Sequence, residues 1–141
     1  LQGGLEFRRV LFRSPGGKDL FLVTEVQFDQ FGAAEPGELI PVALSDAFLR
    51  GDMQVLGRWT VASSASWQVH PLVGLDALAL INPEDRSLLL APGITWSTTS
   101  TASTRFGAYL GAGEDAPSPV TLGSEYGSVP GLVYLSVSLF F

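Results

Sequence analysis

Few residues in this chain could make or break bonds. His70 is the only histidine, and there is no cysteine. Serine-type catalysis needs an imidazole set beside a hydroxyl and oriented by a carboxylate or amide. His70 instead precedes Pro71 in what reads as a tight break between two extended segments, so it is expected to be a plain turn residue. Without cysteine there are no thiolate metal sites and no disulfide framework. The acids Glu84, Asp85, Glu114, Asp115 and Glu125 lack the spacing of a calcium-binding loop and are expected as solvated loop carboxylates. Pro15-Gly16-Gly17-Lys18 lacks the spacing and the following helix of a phosphate-binding loop. No catalytic residue, metal or cofactor is therefore expected. Six polar residues remain in extended segments: Glu25, Gln27, Arg58, Asp76, Arg105 and Tyr109. Each falls on the more polar of two alternating registers. Such groups can hydrate a wall, brace it by pairing, or set the charge of a constriction.

The elements that must carry them are strands. Residues 19–29, 55–69, 73–81, 87–97, 104–112 and 131–141 each alternate with period two. In the second, Trp59, Val61, Ser63, Ala65, Trp67 and Val69 oppose Arg58, Thr60, Ser64, Ser66 and Gln68. The others repeat the scheme. One register of each strand is apolar and holds no Lys, Arg, Asp or Glu; the other is rich in Gly, Ser and Thr with sparse charge. Pro92 interrupts the fourth strand and predicts an edge or a bulge there. Residues 31–52 and 113–130 read as long loops, with a short helical turn predicted at 44–49. With 46% apolar residues the chain still has no run near the ~18–20 that a membrane helix needs. The fold class expected is all-β: an antiparallel up-and-down meander of about six tilted strands.

The last segment separates its registers most cleanly. Val133, Leu135, Val137, Leu139 and Phe141 share one face; Tyr134, Ser136, Ser138 and Phe140 share the other. This ending on an aromatic resembles the C-terminal strand of Gram-negative outer-membrane β-barrels. The resemblance is close over the final strand and general over the rest. It implies an incomplete transmembrane barrel in the outer membrane of a Gram-negative bacterium. It also implies that Tyr134, Val137, Leu139 and Phe141 form a C-terminal signal read by the barrel-assembly machinery. Further partners would be the lipid bilayer and missing N-terminal strands of the same chain, because six strands fall short of the usual minimum of eight.

Loop lengths agree with that expectation. If Phe141 lies at the periplasmic side, both long loops and the turn at 82–86 fall outside, and the short turns at 70–72 and 98–103 fall inside. Trp59 and Trp67 share a register eight residues apart. At about 3.3 Å per residue and a ~40° tilt, that is roughly 20 Å along the membrane normal. Phe28 and Trp59 are then expected near the outer interface, and Trp67, Trp96, Phe106 and Phe141 near the periplasmic one.

The front of the chain reads differently. Residues 5–14 match, codon by codon, the conceptual translation of a common sequencing adapter, so residues 1–14 are taken as non-native and set aside from the fold, leaving 15–141 as the barrel segment. Setting aside Glu6, Arg8, Arg9 and Arg13 leaves 13 acids against 5 bases, a net charge of −8 in place of −6. So acidic a chain argues against a nucleic-acid partner. The expected function is a porin-like, non-enzymatic passive channel for small hydrophilic solutes. Two alternatives are a structural or adhesive outer-membrane barrel acting through its outer loops, and a soluble β-sandwich binding module.

Overall fold

The computed structural model describes residues 20–140, together with the backbone of residues 4–13. The chain forms one seven-stranded antiparallel sheet in sequential order. Its strands are β1 (Gly4–Arg13), β2 (Leu20–Asp29), β3 (Trp59–His70), β4 (Val73–Asn82), β5 (Ser87–Thr99), β6 (Ala102–Ala112) and β7 (Leu132–Leu139). Six of these are the strands expected from periodicity, and the meander is as expected. The sheet is not closed into a barrel. Two helical turns, α1 (Leu39–Ala43) and α2 (Asp46–Leu49), lie in the β2–β3 connection, the second capped by Ser45, whose Oγ accepts from Phe48 N at 3.3 Å.

Three expectations need correction. First, Gly4–Arg13, set aside as non-native, is the edge strand β1, paired in register with β2 from Gly4↔Asp29 to Arg13↔Leu20. An open edge offers unpaired N–H and C=O groups to whatever extended segment adjoins it, so pairing and origin are separate questions. Second, β3 begins at Trp59, not at 55, because Leu56 and Arg58 exchange backbone hydrogen bonds with Ala33 instead. Third, Pro92 sits in the central strand β5, paired with Ala77 of β4. The β5–β6 ladder simply skips Ala91 and Pro92, without a register shift there, so the missing donor costs a local gap and no bulge.

The register is what organises the sheet. Cross-strand partners in an antiparallel ladder share a face. Following them laterally gives Leu20–Trp67–Leu75–Ile94–Phe106–Leu135 in one row and Val26–Val61–Ile81–Leu88–Ala112 in another. Through β2 to β7 the apolar registers all fall on one side, and no charged residue joins them. The two hydroxyls that face each other there, Thr24 and Ser63, pair at 3.1 Å.

Apolar burial is concentrated in the connections and not in the sheet. The buried apolar side chains are Ala33, Leu39, Met53 and Tyr126, all in connections. The apolar face of the sheet lies open: Leu135 is 68% exposed, Phe106 50% and Trp96 54%. Among the described residues no second sheet covers that face. No helix among the described residues is long and apolar enough to cross a membrane, which says nothing of strands that cross one.

Candidate functional site

The polar face carries two groupings. One lies on the sheet between β4 and β7. In the lateral row Ser66–Asp76–Gly93–Gly107–Tyr134, two glycines stand between two functional side chains. Arg105, one register step away, reaches across Gly93 to Asp76. Its guanidinium donates through Nη1 and Nη2 to both carboxylate oxygens, at 2.8 and 2.6 Å. Its Nε donates to the Tyr134 hydroxyl at 3.0 Å, and Nη1 to Thr95 Oγ1 at 3.4 Å. Tyr134 in turn stacks on Tyr109, with ring centroids 5.7 Å apart.

The glycines explain why this fits. A Cβ at Gly93 would stand 2.7 Å from Arg105 Nη2, and one at Gly107 would stand 2.6 Å from the Tyr134 ring. Each bare backbone is the floor on which a large side chain lies, so the aromatic shields a strand that glycine would otherwise leave unpacked. Three residues expected on the polar side, Asp76, Arg105 and Tyr109, are thus brought together. Tyr134, expected from the resemblance as part of a terminal signal, is their fourth member. Only its register could have suggested this.

Glu25 and Gln27 fall on the same face of β2, opposite Ala62 and Thr60, apart from that cluster. Arg58 joins neither; it lines a cleft against the β2–β3 connection. On the apolar face, Phe28 and Trp59 are cross-strand partners with rings 4.7 Å apart. Trp67 and Phe106 share a lateral row near the other end, and Trp96 lies one step beyond. Phe141 lies outside the described residues. His70, expected in the turn, instead ends β3 and pairs with Val73; its Nδ1 accepts from Leu72 N at 3.2 Å, and its carbonyl accepts from Gln68 Nε2 at 2.7 Å.

The second grouping covers the polar face at the long-loop end. Glu125, in the β6–β7 connection, accepts from Leu56 N at 2.8 Å and from Asn82 Nδ2 at 2.9 Å. Asp85, in the β4–β5 turn, accepts from Glu125 N at 2.6 Å and from the Ser87 backbone and hydroxyl at 3.0 and 2.6 Å. Ser87 Oγ also accepts from Tyr126 N at 3.3 Å. Three connections are thereby tied to one another. They shut water out of polar-register residues: Thr60 is 3% exposed, and Asn82 and Ser87 are buried too. Two of the acids expected to be merely solvated are therefore clamps. Burial, with Glu125 and Asp85 nearby, holds the Tyr126 phenol well above the usual tyrosine range, so it stays neutral.

No family model matches the chain, and no curated protein or solved structure matches it. Among the described residues there is no group of acids or histidines arranged to hold a metal ion.

The clamp makes a direct prediction. Glu125→Ala removes two acceptors and leaves the Leu56 amide and the Asn82 amide group without partners. A hydrogen bond to a charged group is worth about 1.5–3 kcal/mol. Amide hydrogen exchange at Leu56 should therefore speed by at least about tenfold, while exchange in the middle of β4 and β5 stays unchanged. Equal acceleration throughout the sheet would mean that Glu125 supports the whole fold and does not merely tie the loops.

Proposed function

We propose that the chain is part of the wall of an outer-membrane β-barrel that passes small hydrophilic solutes, a porin-like passive channel without catalytic chemistry. The observation that carries this is the in-register separation of faces: six strands present one charge-free apolar side, left bare, and one polar side bearing the Asp76–Arg105 pair. A sheet with one charge-free apolar side left uncovered and its connections folded over the other suits lipid on one side and water on the other. Strand lengths of 8 to 13 residues bracket the 9–11 that cross a bilayer with tilt. A soluble β-sandwich would need a second sheet on the bare face, and none is present among the described residues.

Closure calls for more strands. In a seven-stranded meander β1 and β7 run the same way, so they could meet only as a parallel pair. Bacterial barrels close antiparallel, with an even strand number. Additional strands of the same chain, assembled by the machinery that reads C-terminal signals, complete the wall in this reading.

The clamped connections favour a second reading, a structural or adhesive barrel whose outer loops close the lumen and bind a partner. A planar lipid bilayer separates the two. A channel gives discrete conductance steps when the full-length barrel is added. A correctly folded barrel that never conducts defeats the channel reading and leaves the structural one.

A further inference from the structure

Arg58 takes part in neither grouping of the polar face. Arg58 lines a cleft of about 360 Å³ together with Gln30, Phe31, Glu38, Val42 and Ser45. That volume lies within the range of small-molecule sites, about 300–1,000 Å³. Among the described residues Arg58 has no ion pair and no side-chain hydrogen bond, and its Nε is buried with no partner. That atom is closed to solvent, so a ligand in the cleft would meet the terminal nitrogens of the guanidinium. A guanidinium also presents a planar fork suited to a carboxylate.

The second charge in the cleft is opposite. Glu38 accepts one backbone bond, from Ala34 N to its Oε2 at 2.9 Å, and pairs with no cation. Arg58 and Glu38 thus line one cleft without neutralising each other. Around them Phe31, 64% exposed, and Val42 supply apolar surface. We infer that this cleft binds a small zwitterion with an apolar side chain, its carboxylate on Arg58, its ammonium on Glu38 and its side chain against Phe31 and Val42. A lone anion fits less well, because the connections around the cleft are acidic: residues 31–57 hold Glu35, Glu38, Asp46 and Asp52 against Arg50 alone. A lone cation leaves Arg58 unsatisfied. A zwitterion answers both charges and crosses an acidic mouth without net repulsion.

Two sources share this chemistry, free α-amino acids and short peptides, and they differ in the distance between their charges. The inference goes beyond solute passage and does not depend on conduction. The test is calorimetric titration of the folded protein in detergent micelles with leucine and dileucine and with the amide and N-acetyl form of each. At least one of the two zwitterions should saturate, and the tighter one reports the charge spacing. Removing the carboxylate or the ammonium should weaken binding about tenfold or more. Arg58→Gln should abolish the difference between the tighter zwitterion and its carboxylate-blocked amide, and Glu38→Gln the difference between it and its N-acetyl form. The ligand series alone, on unaltered protein, is decisive if a variant misfolds. N-acetylleucine binding as tightly as the zwitterions would overturn the inference, as would the absence of saturation by either zwitterion.

Discussion

Val137→Arg should destabilise the protein in lipid by about 2–4 kcal/mol if the site lies near the bilayer midplane, whereas Ser136→Arg should cost little. The two positions are adjacent on β7 and comparably open, so local propensity and fraying affect them alike. They differ in face. Val137 pairs with Thr104 on the apolar side, and Ser136 pairs with Arg105 on the polar side. A guanidinium in hydrocarbon loses its hydration, while one on the polar side extends into water. In a water-soluble sheet the contrast would vanish, since exposed substitutions away from special features usually stay within about 0.5 kcal/mol. Denaturant unfolding in vesicles measures it directly. Trp59, Trp67 and Trp96 lie on the apolar face and would report a loss of lipid contact by fluorescence if that face meets lipid. Equal costs at the two positions would mean that the apolar face does not meet lipid.

How much of this could be seen beforehand depended on the range of each interaction. Strand positions and faces were legible because alternation is local: each residue declares its side by its neighbours two away. The helical turn at 44–49 appeared as α2 with the start of its cap at Ser45. The clamp was not legible. Glu125 reaches Leu56 across 69 residues and Asn82 across 43, and nothing near Glu125 in the sequence distinguishes it from a solvated acid. The same holds for Tyr134. Its place over Gly107 follows from the β6–β7 register, which the two segments together set and neither shows alone. Pro92 misled because a rule about donors was applied without knowing which neighbour the donor would have faced.

The wall pair decides a second large effect, on ion preference. Because Arg105 is engaged at both carboxylate oxygens of Asp76, the two contribute little net charge to the polar face, which is the lumen side in the proposed channel. Each side chain is partly open to water, at 40% and 31%, so the pair's own contribution to stability is small, at most about 1 kcal/mol. Selectivity is more sensitive than stability here, since one uncompensated charge in a narrow pore with low-dielectric walls biases every passing ion. Asp76→Asn should leave the guanidinium unpaired and lower the cation-to-anion permeability ratio about two- to tenfold. Arg105→Gln should leave the carboxylate unpaired and raise the ratio by a similar factor. The double variant should return close to the original value, because it removes both charges and leaves the Tyr109–Tyr134 stack in place. Reversal potentials in a salt gradient measure all three, with unfolding midpoints taken alongside to confirm that the wall is intact. Opposite shifts that cancel in the double variant identify a neutral pair facing the permeation path. Shifts of the same sign, or none in a conducting barrel, would place the pair away from that path and give it a purely bracing role.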